Sequence, residues 1–219
     1  MKININYKGN DYNEIEKLIS LAYKGVEVFF DEKPENINVK IHKTRKDFEE
    51  KLNRKTFEWE VANASYSGSI DILHPNSFAR ESTHKKEEFL FILKHEFSHI
   101  FIDLLSNGHK IPKWLDEGFS SYIAGFNNIK DFLYIEENFC KKLGTPKGWD
   151  EYSNYYAYNI SQMFVEFLIK KFSIKKVNKL ISTLKKNYYY ASFSKNFKKI
   201  FGKNIENTER EFVESLNIE

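Results

Sequence analysis

Cysteine is nearly absent from this chain of 219 residues. Cys140 stands alone, so no intrachain disulfide can form, and it reads as a small hydrophobe within a helix. Long apolar runs are missing as well: no stretch of about 18 apolar residues exists to span a membrane as a helix. The opening segment from Met1 to Leu18 has neither the apolar core nor the cleavage signal of a leader, and the expectation is a soluble cytoplasmic protein. No charge sign dominates. With 34 Lys and Arg against 31 Asp and Glu, the net +3 argues against a chain-wide nucleic-acid binder but leaves room for a local basic patch. Repeats, low-complexity tracts and flexible linkers are not seen either. What is present is a 41% hydrophobic, 16% aromatic composition, enough for a globular chain with a sizeable core.

The first half alternates between helical and extended patterns. Ile15, Leu18, Ile19 and Ala22 recur at helical spacing over residues 11–24, with Gly25 as the expected stop. Ile37, Val39 and Ile41 alternate with polar residues as in a half-buried strand. Thr44 and Asp47 form an N-cap pair opening a short charged helix to about Asn53. Phe57 to Val61 alternates again, Tyr66 to Leu73 reads as a further strand, and residues 76–86 read as a loop. From Glu87 to Leu105 the period becomes helical, with Phe89, Leu90, Leu93, Phe97, Ile100, Phe101 and Leu104 giving a wide apolar surface. Asn107-Gly108 ends that helix, Trp114 to Gly125 forms another, and helices are expected over 128–142, 154–172, 174–187, 190–201 and 205–217. The loop from Gly144 to Trp149 separates the first two of these. The fold class is α+β: a small mixed-sheet lobe with the 87–105 helix, over residues 1–105, then an all-helical lobe over 106–219.

The 87–105 helix carries His95-Glu96-Phe97-Ser98-His99, the pattern H-E-x-x-H. Residues four apart share a helix face, so His95 and His99 can aim both imidazoles at one metal ion, while Glu96 can reach a water on it. A catalytic zinc takes three protein ligands and keeps one position open. The expected third ligand is Glu117, in Trp114-Leu115-Asp116-Glu117-Gly118, because a turn over 106–113 can return the chain to the metal. Gly118 would permit close approach of this helix and the motif helix, and Ser121, one turn on, is a candidate partner for a ligand histidine. Asp103, one turn past His99, is the competing acid and ranks below Glu117.

The pair H-E-x-x-H and W-L-x-E-G, at His95–His99 and Trp114–Gly118, resembles the gluzincin metallopeptidases. Most similar are the small peptidase-MA-like bacterial proteins, with thermolysin and the zinc aminopeptidases more distant. The likeness covers about residues 66–217 and is most specific at 95–99 and 114–122. It implies one thermolysin-like catalytic domain over residues 1–219, a Zn2+ held by His95, His99 and Glu117, Glu96 as general base, and peptide or protein substrates. Tyr158-Asn159-Ile160-Ser161 resembles the family's tyrosine-bearing helix, which would make Tyr158 the oxyanion donor, although Tyr155 and Tyr156 stand beside it and could take that place. The aminopeptidases carry a G-x-M-E-N element whose acid binds a substrate amine. Here Gly68-Ser69-Ile70-Asp71-Ile72 keeps only the glycine, so an endopeptidase is expected. Asp71 reads first as a charge on the solvent side of a strand and second as a shortened stand-in for that acid.

The chemistry also stands on the residue types alone. Zinc acidifies a bound water and polarises a carbonyl, a carboxylate takes the proton and returns it to the leaving amine, and a tyrosine hydroxyl steadies the oxyanion. The strand Ile70 to Leu73 is expected to be an edge to which an extended peptide adds. His42, His74, His84 and His109 have no ligand spacing and read as surface residues, His74 and His84 optionally flanking a cleft. Two other functions remain open: a catalytically silent zinc-binding interaction module, and a nucleic-acid-associated protein. The latter draws on eleven lysines without an acid from Lys170 to Lys203, interrupted by Tyr188-Tyr189-Tyr190. The preferred explanation of that stretch is a pair of amphipathic helices with lysine-rich solvent faces, which makes a nucleic-acid partner unlikely. The sequence carries no signal for an oligomeric state.

Overall fold

The computed structural model describes residues 2–65, 67–126, 135, 137–152, 156–184 and 189–216, and the architecture is mixed α+β. The chain divides into two compact units, Met1–Leu104 and Leu105–Glu219. Among the described residues no helix is long and apolar enough to cross a membrane.

The first unit is built on four strands: β1 (Lys2–Asn6), β2 (Asn36–His42), β3 (Ala62–Ser65) and β4 (Ser69–Leu73), in the spatial order β1-β2-β4-β3. The first three neighbours run parallel, and β3 pairs antiparallel with β4. Alternation sorts the side chains into two faces. Ile37, Val39, Ile70 and Ile72 are fully buried on one, whereas Asn38, Lys40, Ser69 and Asp71 belong to the other. Helix α1 (Tyr12–Glu27) and α2 (Arg45–Leu52) follow β1 and β2. Thr44 caps α2 by accepting from the Asp47 amide at 3.1 Å, as the sequence pattern predicts, and Asn53 ends it in the left-handed region at φ 52°. Phe48 of α2 meets His42 edge-on, which puts α2 on the polar side of the sheet.

After the short α3 (Phe78–Glu81) comes α4 (Phe89–Leu105), the helix that carries the motif. It is buried nearly all round, through Phe89, Ile92, Leu93, Phe97, Ile100, Phe101 and Ile102. Tyr23 of α1 packs against Phe97 and Phe101, so α1 and α4 share one layer. Gly25 does not stop α1, which runs on to Glu27. A Cβ at Gly25 would lie 2.9 Å from Lys94 Cε, so the glycine marks the approach of α4.

Besides the stop at Gly25 and the loop over 76–86, where Pro75–Ser77 and Phe78–Glu81 form short helical turns, two further sequence expectations for this unit fail. Phe57 to Val61 is a turn, because Arg45 takes its main-chain oxygens away from any ladder. The guanidinium donates to Phe57 O (3.0 Å), Glu58 O (2.9 Å) and Glu60 O (3.0 Å), and His84 Nε2 donates to Trp59 O at 2.9 Å. Phe57 and Trp59 stack in parallel on the outside of this clamped loop. The second failure concerns β4, which is internal; the edge beside it is β3.

The second unit is helical: α5 (Lys113–Ala124), α6 (Phe139–Lys142), α7 (Pro146–Tyr152), α8 (Tyr156–Phe172), α9 (Ile174–Ser182), α10 (Tyr190–Phe201) and α11 (Ile205–Ser215). Helix α7 occupies part of the stretch expected to be loop, and most of 128–138 lies outside the described residues. Helix α5 lies so close along α8 that a Cβ on Gly118 would sit 2.5 Å from Ser161 O. An aromatic core joins Trp114, Phe139, Phe164, Phe193 and Phe212. In α9 and α10 the apolar faces (Val177, Leu180, Ile181, Phe193, Phe197, Phe201) are buried, and the lysines point outward. Lys170 pairs with Glu166, and Lys171 and Lys203 both pair with Glu211, so acids beyond the lysine stretch neutralise part of it.

Candidate metal centre

Helix α4 puts His95 and His99 one turn apart on one face, as a 3.6-residue period requires. Their Nε2 atoms are 3.1 Å apart, and the rings meet edge to face with centroids at 4.7 Å. Two imidazole nitrogens at about 2.0–2.1 Å from one zinc in tetrahedral geometry would be separated by about 3.3 Å. The observed pair is therefore already spaced for a shared cation. Glu96, the next residue round the helix, is buried, as are its neighbours Phe97 and Ser98. Ser98 closes its own valence by donating to Lys94 O at 2.7 Å.

Glu117 lies in α5 and is 6% exposed. Lys113, one turn earlier, donates to its Oε1 at 2.8 Å, a cation on a carboxylate inside a mostly apolar helix. His95, His99 and Glu117 each offer one ligand atom, and those atoms lie within 4.8 Å of one another, so the group can hold a metal ion. Two imidazoles and one carboxylate suit zinc chemically, and three ligands leave a position for water. Asp103, half-buried on α4, is not in the group. Ser121 is buried one turn beyond Glu117 on α5.

Tyr158 sits on α8 one turn before Ser161, where Gly118 lets α5 approach, so Glu117 and Tyr158 belong to the same helix crossing. Its ring is half-buried and meets Trp149 edge-on at 4.9 Å. Tyr156 instead faces Tyr152, with ring centroids 6.2 Å apart, and Tyr155 lies outside the described residues. The expected close approach at Gly118 is made to α8, whose Ser161 supplies the nearest atoms, and not to the motif helix.

Several residues expected at the surface are interior. His42 is 3% exposed, and its Nε2 donates to Asp71 Oδ1 at 2.7 Å. Asp71 is therefore not a solvent-facing charge on an open strand: it lies on the sheet face opposite Ile70 and Ile72, buried and paired with His42. His74 is also buried. Its Nδ1 accepts from Asn76 N at 3.2 Å, and its Nε2 faces Asp11 Oδ2 at 2.9 Å and Tyr7 Oη at 3.0 Å. Burial and the bond to Asp11 push the Tyr7 hydroxyl up to about 12, and the same bond is the main force holding Asp11 below the usual carboxylate range. This trio clasps the β1–α1 turn to the end of β4 and is structural. His84 bonds Glu88 and Trp59 O, and His109 is half-buried. Parallel strand ends gather His42 and His74, which single-sequence spacing cannot reveal.

No protein-family model matches the chain, and no curated protein matches it.

Proposed function

We propose that this protein is a zinc-dependent peptidase of gluzincin type with a thermolysin-like arrangement, acting as an endopeptidase. The observation that carries the proposal is the His95–His99 pair on α4, spaced for a shared cation, together with Glu117. Bound there, zinc would supply a Lewis acid and an acidified water. Glu96, fixed by burial in α4 beside His95, accepts the proton of the attacking water and delivers it to the leaving amine. Tyr158, braced by Trp149, donates its hydroxyl to the oxyanion of the tetrahedral carbon. An extended substrate adds to the open edge of β3 by main-chain hydrogen bonds. The absence of the methionine-glutamate pair where Ile70-Asp71 stands favours internal cleavage over trimming from a free amine.

One observation favours a second reading, a metal-binding module without turnover: Lys113 already occupies the Glu117 carboxylate at 2.8 Å. Glu96→Gln separates the two. The peptidase loses at least about a thousandfold in cleavage of an unstructured protein substrate while retaining its zinc. A wild-type protein that holds zinc and cleaves nothing in a broad peptide library supports the silent module, and cleavage unchanged by Glu96→Gln removes Glu96 from the mechanism.

A further inference from the structure

The polar face of the sheet in the first unit holds a cavity of about 470 Å³, away from the apolar face that packs in the core. That volume is within the range of small-molecule sites, roughly 300–1,000 Å³. Strand register builds it in two transverse rows. Asn4, Asn38 and Ser69 stand in one, and Asn6, Lys40 and Asp71 in the next, while Lys51 reaches in from α2.

The charges in this cavity are arranged unusually. Lys40 is the register partner of Asp71, yet neither Lys40 nor Lys51 makes an ion pair among the described residues. Asp71 gives one oxygen to His42, whose ring is buried behind it with 2% of its side chain exposed. The Asp71 side chain is itself 9% exposed and lines the cavity with its remaining capacity. A buried carboxylate oriented by a buried histidine is costly to maintain as surface decoration. Beside two ammonium groups, it presents both signs of charge across one pocket of amide and hydroxyl groups.

We propose that this cavity binds a small zwitterion, a free amino acid or a dipeptide. The ligand's carboxylate lies against Lys40 and Lys51, its ammonium donates to Asp71, and Asn6, Asn38 and Ser69 complete the polar shell. A plain anion would meet the Asp71 carboxylate, and a plain cation would meet the two lysines. Only a ligand carrying both signs satisfies both sides. The site lies on the sheet face opposite Ile70 and Ile72, shares no residue with His95, His99 or Glu117, and does not depend on the metal or on proteolysis.

The test is calorimetric titration of the full chain with glycylglycine and with alanine, alongside N-acetylglycine and glycinamide, which each lack one of the two charges. Saturable binding of at least one zwitterion is expected, weakened at least tenfold when either charge is missing. Lys40→Gln and Asp71→Asn should each weaken it at least tenfold, and Glu96→Gln should leave it unchanged. Because Asp71→Asn disturbs a buried pair, Lys51→Gln, on an exposed helix position, serves as the variant that leaves the core intact. The proposal is overturned by no saturable binding of either zwitterion, by N-acetylglycine binding as tightly as they do, or by affinity that ignores Lys40→Gln and Lys51→Gln.

Discussion

Glu209 offers a quantitative check on the helical unit. It lies on α11, 4% exposed, and its Oε1 accepts the Cys140 amide of α6 at 2.7 Å, capping a short helix whose own preceding residue, Asn138, supplies no side-chain cap. Its Oε2 is buried with no hydrogen-bond partner among the described residues. Cys140 and Glu206 act on it, and Tyr190 bonds Glu206 at 3.0 Å. Burial is the main cause that raises its pKa from 4.5 to about 7. The sign follows from linkage: a carboxyl with a raised folded pKa contributes stability that is complete below the unfolded value and is lost as pH rises through the folded one. The shift corresponds to at most about 3 kcal/mol. Glu209→Gln keeps an acceptor for the Cys140 amide and cannot ionise. Urea unfolding followed by tryptophan fluorescence at pH 5, 6, 7 and 8 should show the two proteins close together at pH 5. The variant should gain steadily, reaching about 2–3 kcal/mol at pH 8. A gap that does not change with pH, or a variant less stable at pH 8, refutes this account of the buried carboxylate.

Two further substitutions test the packing that frames the site. Gly118→Ala places a methyl 2.5 Å from Ser161 O, and backbone cannot step aside as a flexible side chain can, so unfolding experiments should show a loss of at least about 1–3 kcal/mol; wild-type stability would contradict the α5–α8 approach. Arg45→Ala strips donors from Phe57 O, Glu58 O and Glu60 O, and should cost about 2–4 kcal/mol while speeding limited proteolysis near Lys55. Unchanged cleavage there would mean that the loop holds its shape without the clamp.

What the sequence reveals and what it hides divide along local and non-local lines. The α4 helix is legible because its apolar positions recur at a helical period over many turns, and His95 and His99 follow from that period alone. The cap at Thr44 is legible for the same reason, being a contact across three residues. Phe57 to Val61 alternates like a strand, but Arg45, a dozen residues earlier, captures its carbonyls, and no local pattern encodes that. The Asn-Ile alternation of β1 is plain in hindsight but short. Asp71 misleads because a polar residue in an alternating strand reads as solvent-facing, while His42, brought alongside by the β2–β4 pairing, buries it. Glu117 rests on spacing and on its group with the histidines, and its ion pair with Lys113 at helical separation was written in the sequence without being a signal for function.

His95, His99 and Glu117 are proposed to hold a zinc ion. Metal content of the purified protein, loaded with zinc and freed of excess by gel filtration, tests it most directly when the wild type is measured beside His99→Ala. About one zinc per chain is expected in the wild type, with a large loss in the variant. Less than about half an equivalent in the wild type, or equal zinc in both proteins, would contradict it.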